Sequence, residues 1–91
     1  MEHARAGLQK IILDALRKHA DAPVVAWPMV CGAAVAGKTR ALEVKERALV
    51  VEVPDAAWRA QLAELAPRYL ASLNEVAPGK VARIEFVVKQ L

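Results

Sequence analysis

The sequence predicts an α+β fold, a three-stranded sheet with helices packed on one of its faces. Two observations carry this. Residues 40–58, RALEVKERALVVEVPDAAW, alternate apolar and polar side chains in two runs, Leu42 and Val44 and then Leu49, Val51 and Val53, so the apolar set lies on one face of a ribbon. Elsewhere apolar residues recur at three- and four-residue spacing, the period of a helix with one buried side. Helices and strands segregated in this way, with a hairpin among them, define the α+β class.

The expected order is helix, helix, strand, strand, helix broken at Pro67, strand. In residues 7–20, Leu8, Ile11, Ile12, Ala15 and Leu16 form an apolar stripe, and Gln9, Lys10, Asp14, Arg17 and Lys18 take the solvated side. Asp21, Ala22 and Pro23 interrupt that pattern. Residues 24–36 read as a second helix with Pro28 in its first turn. Trp27, Val30, Cys31, Ala34 and Val35 make its stripe, Gly32 offers a small surface for close approach, and Gly37 fits a left-handed terminus. The hairpin follows, with Glu46-Arg47 as its turn. Pro54 ends the second strand because it has no N–H for a ladder, and Asp55 is placed to cap the next helix.

In that helix Trp58, Leu62, Leu65, Tyr69, Leu70 and Leu73 share a stripe. Pro67 removes a backbone hydrogen bond and crowds the preceding turn, which predicts one helix over 55–65 and another over 67–76. Pro78-Gly79 makes a turn, and residues 81–88 form the third strand, with Ala82, Ile84, Phe86 and Val88 on one face. Trp27, Trp58, Leu62, Ile84 and Phe86 are the expected structural core. The opposite sheet face would carry Glu43, Lys45, Val50, Glu52, Arg83 and Glu85, whose charges can pair across strands.

Composition sets the limits. A chain of 91 residues with neither repeats nor a linker reads as one domain, 1–91, burying about 60–65% of its unfolded surface. A 56% hydrophobic content with 4% aromatic residues means a core of Ala, Val and Leu, without a deep cavity. The formal net charge of +3 permits contact with nucleic acid but does not require it. A single cysteine, Cys31, rules out an internal disulfide and a four-cysteine zinc site, and suits a reducing compartment. No apolar run approaches the roughly 18 residues of a membrane span. The expectation is a soluble, cytoplasmic protein without a membrane or small-molecule partner.

Catalysis has little to draw on. The candidate nucleophiles and bases are Ser72, Thr39, Cys31, His3 and His19. Each has a structural or terminal place, and no cluster of His, Cys and carboxylate ligands offers a metal site. Gly37-Lys38-Thr39 lacks the preceding strand and the glycine spacing of a phosphate loop. We expect no enzyme, no cofactor and no metal.

The ordered set Trp27-Pro28-Met29-Val30-Cys31-Gly32, Ala36-Gly37-Lys38-Thr39-Arg40, Leu49-Val50-Val51-Glu52-Val53, Ala57-Trp58, Gln61-Leu62, Leu65, Leu73-Asn74, Val81 and Ile84-Glu85-Phe86 resembles the DciA family over about residues 8–88. The resemblance implies a KH-like domain in a bacterial protein that recruits or loads the replicative DNA helicase at replication initiation, with an affinity for single-stranded DNA. It implies neither catalysis nor a cofactor. Three features depart from the pattern. Glu46-Arg47 replaces the usual Asp-Gly-like turn, which predicts a longer turn or one of another type. No Gly-x-x-Gly clamp stands near Ala66-Pro67-Arg68, so DNA contact falls to side-chain charge. The 91 residues do not include the flexible basic extension common in the family, so binding that depends on such a tail is not expected of them. The candidate nucleic-acid-binding residues are Lys38, Arg40, Lys45, Arg47, Arg59 and Arg68, which the hairpin and the helix ends would bring near one another. The alternatives are a KH-like RNA-binding protein and a pure protein-protein interaction module.

Overall fold

The computed structural model describes residues 22–90, and the helix expected over 7–20 lies outside them. The described elements are α1 (Ala22–Ala36), β1 (Arg40–Lys45), β2 (Ala48–Val53), α2 (Ala56–Val76) and β3 (Arg83–Val88). The fold is α+β, with both helices packed against a three-stranded mixed sheet ordered β1-β2-β3. β1 and β2 pair antiparallel through the hairpin. β2 and β3 pair parallel, because α2 is the crossover that returns the chain to the same end of the sheet.

Leu49, Val51 and Val53 are fully buried on one face of β2, together with Trp27, Leu62, Leu73 and Val81. Burying each such Val or Leu side chain contributes about 1.5–3 kcal/mol. Val44, Ile84, Phe86, Val88 and Trp58 are partly buried against this cluster. Trp58 therefore sits at the rim of the core and Trp27 inside it. Leu42 departs from the expected alternation. The β1–β2 register shifts between Ala41 and Glu43, so Ala41 and Val44 face the core while Leu42 is 41% exposed. A β-bulge inserts one extra residue and resets which side chains point inward.

Three backbone features differ from what the sequence predicts. Glu46 and Arg47 close a two-residue turn between the paired residues Lys45 and Ala48, with φ of 51° and 63°. Positive φ at both central residues is the type I′ geometry that matches strand twist, here adopted without glycine or asparagine. The turn is held from β3: the Ala82 amide donates to the Arg47 carbonyl at 2.7 Å, and Arg83 Nη1 donates to the Glu46 carbonyl at 3.2 Å. Gly32 interrupts α1 at φ 83°, ψ 163°, a region essentially confined to glycine. A Cβ there would meet nothing within 4 Å, so backbone conformation and not close approach requires this glycine. Gly37 is not left-handed. The last turn of α1 closes instead through the amides of Lys38 and Thr39, both donating to the Val35 carbonyl at 3.0 Å. Ala34, expected on the apolar stripe, is exposed beyond the Gly32 break.

α2 is continuous through Pro67, where the sequence predicted a break. Proline removes the donor for the Ala63 carbonyl, but Ala63 and Pro67 both lie on the exposed side, away from the core that would penalise an unpaired carbonyl. Leu62 and Leu65 before the proline, and Tyr69, Leu70 and Leu73 after it, pack on one core and hold both halves on one axis. At its start the Asp55 carboxylate accepts from the Trp58 amide at 2.9 Å, the expected cap.

Gly32→Ala should destabilise the fold by about 1–3 kcal/mol in urea unfolding despite the open space around it. Replacing Glu46-Arg47 by Asn-Gly should stabilise it by about 1 kcal/mol, since both new residues accept positive φ more readily. An unchanged midpoint in the second variant would contradict the strained-turn assignment.

Candidate nucleic-acid interface

Trp27 sets the geometry from which the candidate site is built. Its indole is 1% exposed and lies 5.3 Å from the Tyr69 ring, edge to face, and 6.2 Å from Phe86. A buried indole N–H needs an acceptor. Trp27 Nε1 donates to Thr39 Oγ1 at 2.9 Å, and Thr39 Oγ1 donates to the Val35 carbonyl at 2.8 Å. This pair fixes the connection from α1 to β1 and, with it, Lys38 and Arg40 on either side of Thr39.

Those two cations line a cleft of about 370 Å³ together with Gly37, Thr39, Glu52, Val53, Pro54 and Lys89. Lys89 is not among the residues that the sequence singled out. It follows β3, and its amide donates to the Val53 carbonyl at 2.8 Å, so parallel pairing carries it to the wall of the cleft. The readable signal was the strand-helix-strand order of β2, α2 and β3, the connection that a parallel pair requires.

The six candidate residues are not gathered in one place. Lys45 and Arg47 lie at the other end of the hairpin, about 17 Å along β1 from Arg40. Arg59 and Arg68 are nine positions apart on α2, which separates them by about 13 Å and half a turn around the axis.

On the sheet face away from the helices, the pairing sets three rows: Lys45-Ala48-Arg83, Glu43-Val50-Glu85 and Arg40-Glu52-Val87. Charges on this face do not pair across strands as expected. The ion pair found among the described residues runs along β3, from Arg83 Nε to Glu85 Oε1 at 3.2 Å, and both side chains are about half exposed. Such a pair contributes at most about 1 kcal/mol.

Chemistry of the nucleophilic kind is not supported by the environment of Cys31. Burial pushes its thiol above its ordinary value, against smaller lowering from hydrogen bonds to its own backbone and to Thr39. A protonated thiol is a poor nucleophile. Burial likewise raises the Tyr69 hydroxyl, with the nearby Cys31 adding to the rise and Arg68 opposing it. Among the described residues no group of three or more His, Cys, Asp or Glu converges as a metal site. No helix among them is long and apolar enough to cross a membrane.

The family model described as Dna[CI] antecedent, DciA, matches residues 6–86. The chain belongs to the DciA family. DciA proteins are a non-enzymatic loader or adaptor family with a helicase-loading role in bacterial replication, acting on a protein partner. A search of the curated proteins finds no match. The DciA match takes in every residue of the cleft except Lys89.

Thr39→Val removes the acceptor of the buried Trp27 N–H and should cost about 1–3 kcal/mol. The check is urea unfolding followed by tryptophan fluorescence. Thr39→Ser, which keeps the hydroxyl, should recover most of that stability; equal destabilisation in both variants would mean that packing alone is involved.

Proposed function

We propose that this chain is a non-enzymatic adaptor that recruits or loads the replicative DNA helicase and holds single-stranded DNA weakly through side-chain charge. The observation that carries the reading is the DciA family match over residues 6–86. What supports the DNA part is the cleft where Lys38 and Arg40 stand together, beside a core bond that holds their connection in place. A KH-type clamp on the nucleotide backbone is not part of the proposal. The position expected for its glycine loop lies inside the continuous helix α2, and the sequence has no Gly-x-x-Gly. The same point weighs against the RNA-binding alternative.

One observation favours a second reading, a pure protein-protein module in which the positive charge is incidental. Val25 and Met29, one helical turn apart on α1, are 58% and 59% exposed. An apolar pair on a helix face suits a protein contact more than a phosphate backbone.

The purified chain should co-elute with the replicative helicase of its own host in gel filtration. Titration with single-stranded DNA should give binding that weakens as salt rises, because each neutralised phosphate releases counterion. Absence of co-elution would remove the adaptor reading. Co-elution that survives Lys38→Glu and Arg40→Glu, with no DNA binding in the parent chain, would favour the pure protein module.

A further inference from the structure

We propose that the cleft between the α1–β1 connection and the ends of β2 and β3 is a subsite for a backbone phosphate of single-stranded nucleic acid, completed by Lys89 and limited by Glu52. This rests on the DNA-binding part of the function proposed above and assigns it to one place.

Three cations from two distant stretches of chain meet there, Lys38 and Arg40 before β2 and Lys89 after β3. The backbone itself offers little to an anion. The amides of Gly37, Lys38 and Thr39 are spent on the carbonyls of Ala33 and Val35, and that of Lys89 on Val53. Recognition therefore falls to two ammonium groups and a guanidinium, which suits phosphate oxygens on a chain of variable sequence. Pro54, exposed at the rim, gives an apolar wall for the sugar or base that accompanies the phosphate.

Glu52 sets the limit. It stands directly opposite Arg40 in the β1–β2 register, yet the ion pair found among the described residues is Arg83 with Glu85. The guanidinium of Arg40 is thus not tied to Glu52, while the carboxylate still repels an anion entering the cleft. The basic corner at the hairpin turn differs in that its arginine on β3 is already engaged. Arg83 there is committed to the Glu85 carboxylate and to the Glu46 carbonyl.

The test is fluorescence anisotropy of a fluorescein-labelled oligothymidylate against the full chain over a series of salt concentrations, with urea unfolding to confirm that each variant is folded. Lys38→Glu and Lys89→Glu should each weaken binding and reduce the slope of log affinity against log salt by about 0.7 for each phosphate that is no longer neutralised. Glu52→Gln should tighten binding by about 1.5- to 5-fold. Lys80→Glu makes the same charge change at the opposite end of the sheet, and should alter affinity less. An unlabelled oligouridylate of equal length should compete, because the subsite reads phosphate and not sugar.

If the parent chain binds but Lys38→Glu and Lys89→Glu leave affinity and slope unchanged, the cleft assignment is overturned and DNA binding stands. Failure of the oligouridylate to compete overturns the side-chain phosphate assignment. If the parent chain does not bind at low salt, the assignment falls together with the DNA part of the proposed function. Should Lys89→Glu unfold the chain, Lys89→Gln, which only removes the charge, serves in its place with the same expected direction.

Discussion

The buried N–H of Trp27 is the constraint on which the structure depends. An indole this deep in a small core must place its one polar atom against an acceptor, and the acceptor is Thr39, in the connection that leads from α1 into the sheet. The same ring touches Tyr69 on α2 and Phe86 on β3. One side chain thereby fixes both helices, the far edge of the sheet and the entry to β1. A core made largely of Ala, Val and Leu has few other means of specifying a unique arrangement, since aliphatic contacts are non-directional.

The candidate interface follows from that core without being part of it. Because the Thr39 hydroxyl also donates to the Val35 carbonyl, the three residues between α1 and β1 have little freedom. Lys38 and Arg40 are then held at the mouth of a cleft instead of trailing from a loose loop. The opposite wall comes from the parallel pairing of β2 with β3, which brings the chain after Val88 beside Pro54. Core packing and strand direction together make the cleft, and its chemistry is supplied by surface charges with no structural duty of their own.

Charge placement separates the two ends of the sheet. At the hairpin turn, arginine is used structurally: Arg83 braces a two-residue turn whose φ values strain both Glu46 and Arg47. At the cleft, Lys38, Arg40 and Lys89 make no ion pair among the described residues. A net charge of +3 conceals this difference, because acidic residues are interleaved along the rest of the outer sheet face. The hydrogen bonds of the α1–β1 connection hold Thr39 to both Trp27 and Val35, and so set where Lys38 and Arg40 leave the backbone.

The sequence by itself determined the fold class, the hairpin, the Asp55 cap and the third strand, because hydrophobic period and capping chemistry are local signals. The family, too, was legible in the ordered motifs from Trp27 to Phe86. Tertiary structure alone decided the rest. Pro67 stays inside a helix because leucines on both sides share a core while Pro67 and Ala63, whose carbonyl loses its donor, lie on the exposed side. Leu42 turns outward because a bulge shifts the register by one residue, an event that alternation cannot reveal. The six basic residues picked from the sequence fall in separate places, while Lys89 joins Lys38 across more than fifty positions. Which charges become neighbours depends on strand direction and crossover, and those are settled only when the whole core closes.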